Sequence, residues 1–180
     1  MSDSTTMDSP SDSSTHRDGD VVLRDGSTVR IRVMEPADEA GLTALLQSLS
    51  EDSRWLRFYS LSSKSALAAE AHREANLDHT FALVACSGVD QRIVGHAFYV
   101  GIDEQQAEVA FTIANDFQGR GLGTLLLCQL AEVASANGIH VFEAEVVGAN
   151  APCVSGVWFP ARPKRELGPS ARYLSYFLYR

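Results

Sequence analysis

The chain has 180 residues, of which 45% are hydrophobic and 21% charged, and its formal net charge is -8. These values are ordinary for a single globular domain and exclude disorder over the whole chain. No apolar run approaches the roughly 18 residues of a membrane span. An acidic surface repels phosphate backbones, so we expect neither a membrane protein nor a nucleic-acid-binding protein.

The N-terminal segment differs from the rest in composition. Residues 1–19 are rich in serine and aspartate and lack apolar residues for a core, so we predict a disordered tail and one domain over residues 20–180. The tail has no basic start and no apolar stretch, unlike a signal peptide. Cys86, Cys128 and Cys153, like the five histidines, lack metal-ligand spacing. We therefore expect no metal, reduced thiols and a cytoplasmic location.

The first half of the domain predicts a hairpin followed by helices. Two β-rich runs, Val21–Leu23 and Thr28–Met34, flank an Asp-Gly turn. Pro36 suits the first turn of a helix. The leucines of one helical face then follow at Leu42, Leu45, Leu46 and Leu49. Further short helices are predicted after Ser50 and over Ser65–Glu74.

The second half predicts strands around one long helix. The apolar runs that predict strands are Phe81–Ala85, Ile93–Val100, Ala107–Ile113, Val141–Val147 and Tyr173–Tyr179. A glycine-rich turn over Gly119–Gly123 leads into the helix, whose apolar residues include Leu122, Leu126 and Leu130, and Gly138 is a natural C-terminal stop. The element order indicates an α+β domain with a mixed sheet.

The glycine-rich turn has the character of an anion site. The first turn of a helix offers unpaired backbone N–H groups and the positive end of the helix dipole. Glycines allow the backbone to approach a ligand, and Arg120 adds a cation. A helix start with tight packing is an almost equally good explanation. The segment lacks the lysine of a Walker loop and the spacing of a dinucleotide fingerprint.

The turn resembles the acetyl-CoA loop of the GNAT N-acetyltransferase superfamily, whose pattern is Q/R-x-x-G-x-G/A. Gln118-Gly119-Arg120-Gly121-Leu122-Gly123 matches it after a predicted strand and at the start of a helix. Two N-terminal segments, 22–38 and 49–60, resemble the branch of bacterial protein-lysine acetyltransferases. The resemblance implies a mostly antiparallel mixed sheet flanked by helices.

The resemblance also implies a cofactor site. Acetyl-CoA would lie between the strands 107–113 and 141–147. Backbone groups of Phe111, Thr112 and Ile113 would pair with its pantetheine arm. The amides of the loop would hold the pyrophosphate, the residues concerned being Gln118, Gly119, Arg120, Gly121, Leu122, Gly123 and Thr124. Asn150 matches a family asparagine that follows the last of these strands.

The same resemblance assigns Glu108 as the general base. An acceptor amine is mostly protonated at neutral pH and must lose a proton before it attacks the thioester. A free carboxylate is a weak base, so we expect burial beside Val109 and Phe111 to strengthen Glu108. The alternative is a solvent-facing strand carboxylate. Glu143 and Glu145 on the next strand are the substitute candidates.

Residues 151–165 depart from the family pattern. Three prolines and a glycine within residues 151–163 make the family's helix implausible there. Three functions therefore remain in view. The chain acetylates a lysine of a protein such as an acyl-CoA synthetase, acetylates a small amine, or binds CoA without turnover. The sequence does not identify the acceptor, the acyl chain or the oligomeric state.

Overall fold

The computed structural model describes residues 18–58, 64–75, 80–147, 161–166 and 171–177. Within these ranges eight strands form one sheet: β1 Gly19–Val22, β2 Thr28–Val33, β3 Thr80–Ser87, β4 Arg92–Gly101, β5 Gln106–Ile113, β6 Val141–Val147, β7 Ala161–Glu166 and β8 Ala171–Phe177. The strand order is β1-β2-β3-β4-β5-β6-β8-β7. β5 and β6 run parallel, and the other neighbouring strands are antiparallel. The predicted α+β class with a mostly antiparallel mixed sheet is confirmed.

The described helices are α1 Glu39–Ser48, α2 Glu51–Phe58, α3 Lys64–Ala75 and α4 Leu122–Ala136. Short 3-10 turns precede α1 at Pro36–Asp38 and follow β5 at Asn115–Phe117. None of the helices in the described ranges is long and apolar enough to cross a membrane. These element bounds confirm the predicted hairpin, the three early helices and the long fourth helix.

Two strands differ from the sequence-based expectation. β8 covers Ala171–Phe177 and thus begins two residues before the predicted Tyr173–Tyr179. β7 was not predicted, because the segment Ala161–Glu166 carries charged residues and Pro163 instead of an apolar alternation. β7 is the outermost strand of the sheet, and an edge position tolerates proline because one side of the strand needs no ladder donors.

The helices cover opposite faces of the sheet. A Cβ atom at Gly95 in β4 would lie 3.1 Å from the Cδ atoms of both Leu122 and Leu126, so α4 packs very closely on this face. Side chains alternate along a strand, so the neighbouring His96 lies on the other face. α1 packs there against α3 and β4. The leucines predicted for the inner side of α1, Leu42, Leu45 and Leu46, are all buried.

A buried polar cluster ties α2 and α3 to the middle of the sheet. The Arg57 guanidinium of α2 lies 2.5 Å from Glu74 Oε1 of α3 and donates from Nε to Thr112 Oγ1 of β5 at 3.3 Å. Glu74 Oε2 lies 3.4 Å from Nδ1 of His96, which is directly opposite Thr112 in the β4–β5 register. The Glu74 side chain is fully buried. Its charge therefore depends on these partners.

The side chains around Glu74 determine its protonation. Burial by itself would raise the pKa of the Glu74 carboxyl, but the His96 ring and the Arg57 guanidinium outweigh burial and hold that pKa below its ordinary value. A buried carboxylate that is ionised in this way fixes both helices. Loss of one partner leaves the other charge without compensation in the interior.

The close packing of α4 predicts the effect of adding one methyl group. Gly95→Ala places a Cβ against Leu122, Leu126 and the Cβ of Ala85, the last at 3.2 Å. Overpacking of this kind costs about 1–3 kcal/mol of unfolding free energy. Gly101→Ala in the same strand is the control, because its Cβ would meet only Asp103 O at 4.0 Å. Urea unfolding measures both variants, and equal stabilities would contradict the packing argument.

The buried cluster predicts a pH-dependent loss of stability. The folded-state pKa of Glu74 lies below its ordinary 4.5, so its carboxylate stabilises the fold above about pH 4.5. That contribution disappears as the pH falls through the lower folded-state pKa. Glu74→Gln should therefore cost about 3 kcal/mol at pH 7 and flatten the acid limb of the stability curve.

The matched control for Glu74 lies one turn earlier in the same helix. Glu70 pairs with Arg73 on the surface, where 57% of the Arg73 side chain is exposed. Glu70→Gln should cost less than about 1 kcal/mol, because exposed ion pairs contribute little. Chemical denaturation between pH 3 and pH 7 compares the two variants. Similar losses in both would show that the buried cluster has no special role.

Candidate functional site

The two parallel strands at the centre of the sheet part after a short contact. β5 and β6 are paired at Gln106–Val141, Ala107–Phe142 and Glu108–Glu143, and the described register ends there. β5 then continues to Ile113 and β6 to Val147. This is the opening that the sequence analysis expected between strands 107–113 and 141–147.

The opening exposes one edge of the β5 backbone. The Ala114 amide donates to Val94 O at 2.9 Å, so Ala114 faces β4. Backbone groups of an antiparallel strand alternate in direction, so Thr112 also faces β4 while Phe111 and Ile113 face the opening. Thr112 is buried, and its hydroxyl accepts from Arg57. The stretch Phe111–Ile113 thus presents the backbone of its first and last residues to the gap.

The glycine-rich turn ends in the first turn of α4. Gly119 and Gly121 have φ values of 74° and 88°, a conformation that non-glycine residues rarely adopt. The Leu125 amide donates to Gly121 O at 3.2 Å, so the i→i−4 ladder of α4 starts from Gly121, and the amides of Leu122 and Gly123 precede it. The first turn contains no acidic residue. A partial positive charge at this helix end therefore meets no carboxylate of its own helix.

Polar side chains hold this turn against α2. Gln118 Nε2 donates to Ser53 Oγ at 3.2 Å and to Ile113 O at 3.1 Å. Asn115 accepts from the Ser50 amide at Oδ1 and donates from Nδ2 to the hydroxyls of Ser50 and Ser53, at 2.9, 2.9 and 3.0 Å. The turn, the end of β5 and the start of α2 are therefore one hydrogen-bonded unit. The sequence gives no local signal for the contacts with Ser50 and Ser53, which join residues 62 to 65 positions apart.

Arg120 has a different environment from the one expected. Its guanidinium lies 2.8 Å from Asp25 Oδ2 in the β1–β2 turn and stacks over the Phe117 ring at 4.8 Å. About a third of its side chain is exposed. A nearby carboxylate partly neutralises the cation that the sequence analysis assigned to an anionic ligand.

Glu108 lies where the strands part, at the last paired position of β5. Glu108 is exposed, so the prediction that it is buried beside Val109 and Phe111 is wrong. Strand alternation places Glu108 on the same face as Thr112, which is the face covered by α2 and α3. Glu143 is its register partner on β6, so two carboxylates lie side by side at the start of the opening.

The negative charge of Glu108 also acts on Arg73 of α3. The pKa of Arg73 is raised mainly by its hydrogen bond to Glu70, with smaller contributions from the charges of Glu74 and Glu108. Glu108 and Glu143 therefore place two carboxylates at the mouth of the opening, with the Arg73 cation nearby on α3. Of the other predicted site residues, Asn150 lies outside the described residues. Glu145 belongs to β6.

Comparison with known proteins agrees with this geometry. The family model described as Acetyltransferase (GNAT) family matches residues 44–155. Acetyltransferase Pat of Mycolicibacterium smegmatis is 30% identical over 133 residues, which cover 72% of this chain and 40% of Pat. The chain thus spans two fifths of the length of that curated relative.

Solved structures show the same architecture. The GNAT domain of S. lividans PAT superposes with a TM-score of 0.76 at 29% identity, over 89% of this chain and 97% of that one. The structure of yncA from Salmonella typhimurium, solved with its cofactor acetyl-CoA, has a TM-score of 0.59 at 19% identity, over 84% and 95% of the two chains. The second similarity concerns the fold alone.

Acetyl-CoA is the acyl donor of GNAT acetyltransferases, and the residues present fit it. The parted strands leave backbone groups of β5 facing the opening, and the turn before α4 is glycine-rich and free of carboxylates within the helix start. The family match over residues 44–155 shows that the chain belongs to the GNAT acetyltransferase family, and this geometry agrees with it.

Proposed function

We propose that this chain transfers acetyl from acetyl-CoA to a lysine amine of a protein, with an acyl-CoA synthetase as the preferred kind of substrate and Glu108 as the general base. The observation that carries the proposal is the position of Glu108 at the point where β5 and β6 part. The resemblance of residues 22–38 and 49–60 to the protein-lysine acetyltransferase branch supports the acceptor class, and the similarity to Pat agrees with it.

In this proposal the cofactor is bound mainly by backbone groups. The N–H and C=O groups of Phe111 and the N–H group of Ile113 face the opening and pair with the amides of the pantetheine arm, while Ile113 O accepts from Gln118 Nε2. The amides between Gly119 and Thr124, with the α4 dipole behind them, hold the pyrophosphate. Gln118 keeps the turn in place through Ser53 and Ile113. Asn150 remains a proposed contact from the family pattern.

Acetyl-CoA supplies an activated thioester, so the chain needs no nucleophile of its own. The amine nitrogen forms a bond to the acetyl carbon, the carbon–sulfur bond breaks, and CoA leaves as the thiol after it gains a proton. Glu108 accepts the proton that the amine loses, directly or through one water. An exposed base suits this task, because a protein lysine must reach it from solvent.

The two carboxylates at the mouth of the site favour a cationic acceptor. Glu108 and Glu143 are register partners, and the Glu70–Arg73 ion pair of α3 adds no net charge there. Carboxylates attract a lysine ammonium group before it is deprotonated. The proposal includes a cytoplasmic location, since Cys86 and Cys128 are free thiols.

A thermal melt tests cofactor binding without knowledge of the acceptor. Acetyl-CoA at about 100 times its Kd should stabilise the fold by about 2.7 kcal/mol, which raises the Tm by several degrees. Acetate and AMP at the same concentration are the controls. A cooperative thermal transition whose Tm acetyl-CoA does not raise would contradict the proposed cofactor placement.

Glu108→Gln tests the base. The variant should keep the acetyl-CoA-dependent rise in Tm and lose about a hundredfold or more in kcat, because general-base catalysis contributes about that much. The measurement is the release of CoA thiol with an acyl-CoA synthetase, with free lysine or with a polyamine. Glu132→Gln, an exposed glutamate of α4, is the matched control and should keep its activity.

Glu143→Gln separates the two neighbouring carboxylates. If this variant loses turnover and Glu108→Gln keeps it, the base is Glu143. Turnover with the polyamine but with no protein would favour a small-molecule acetyltransferase. A clear rise in Tm without turnover on any acceptor would favour a CoA-binding domain.

A further inference from the structure

The turn between β1 and β2 lies against the glycine-rich turn, although the two are almost 100 positions apart in the chain. The Arg24 amide donates to Arg120 O at 3.0 Å. The Arg24 side chain passes directly over Gly121, where an added Cβ would lie 3.2 Å from Arg24 Nε and 3.4 Å from its Cγ. Gly121 is the residue that precedes α4. The Arg24 head group is therefore held beside the helix end proposed to bind phosphate.

The charged side chains near the glycine-rich turn differ in whether they already have an ion-pair partner. Asp25 is paired with Arg120 at 2.8 Å. Hydrogen bonds from the Ser27 hydroxyl and amide, at 2.6 and 3.1 Å, hold the pKa of Asp25 below its ordinary value, and Arg120 lowers it further. Asp25 thus remains an anion bound to Arg120. Arg24 is exposed, and no ion pair to it is found among the described residues.

The pair of Asp25 and Arg120 is neutral as a unit, so the remaining positive charge at this helix end belongs to Arg24. An arginine beside backbone amides at a helix start can bind a phosphate oxygen through charge-assisted hydrogen bonds. We infer that Arg24 binds a phosphate group of acetyl-CoA, and that Arg120 has mainly a structural role in joining the two turns. The inference rests on the proposed placement of the cofactor.

CoA offers two phosphate sources, the pyrophosphate and the 3′-phosphate of the ribose. The test measures Kd by calorimetry for CoA and for 3′-dephospho-CoA. Arg24→Met removes the charge and keeps an unbranched stem over Gly121. It should weaken CoA binding about tenfold at low salt, and the ratio to wild type should shrink at high salt because screening weakens the contact. Arg24→Lys should recover part of the affinity.

Arg30→Met is the matched control. Arg30 is an exposed arginine of the same hairpin that lies 4.0 Å from Asp18, and its loss changes the net charge equally. CoA binding by Arg24→Met that equals binding by Arg30→Met would overturn the inference. Melts without ligand verify that both variants are folded.

The second probe identifies the phosphate. If Arg24→Met and wild type bind 3′-dephospho-CoA equally, Arg24 contacts the 3′-phosphate. If the tenfold difference persists, it contacts the pyrophosphate. Both results support the inference. Failure of the wild-type protein to bind either probe would overturn the cofactor placement itself and would thereby be distinguished from a failure of the Arg24 assignment alone.

Discussion

The site depends on one feature of the sheet, which is that the adjacent parallel strands β5 and β6 do not remain paired along their whole length. After Glu108 and Glu143 the β5 and β6 ladders separate, and beyond that point the backbone of β5 pairs with β4, while Ile113 O on the other side accepts from Gln118 Nε2. Unpaired backbone groups inside a protein are costly, so such an edge needs water or a ligand. A flexible amide-bearing arm satisfies these groups by acting as a short extra strand.

Other parts of the chain stabilise that opening. Gln118 and Asn115 join the end of β5 to the start of α2, and Arg57 joins the end of α2 to Thr112. The opening is thereby held by one helix at two points. The ionised Glu74 behind Arg57 adds a restraint that a purely apolar contact would lack, since an ion pair fixes direction as well as distance.

The sequence was most informative where local chemistry determines structure. The glycine-rich run predicted the turn in which Gly119 and Gly121 have positive φ, and the leucine spacing of α4 predicted its buried face. The exposure of Glu108 was not predictable, because alternation along a strand gives a side chain's face but not what covers it. The contacts of Asp25 with Arg120 and of Glu74 with His96 join distant segments, and no local pattern encodes them. β7 was missed since its stability comes from pairing with β8.

The link between α2 and the glycine-rich turn has an optical consequence. Trp55 follows Ser53 by two residues on α2, and 48% of its surface is exposed. Its indole therefore lies at the boundary between protein and water, on the helix that Ser53 joins to Gln118. Trp55 thus provides a native fluorophore on the helix that contacts the glycine-rich turn, without any label.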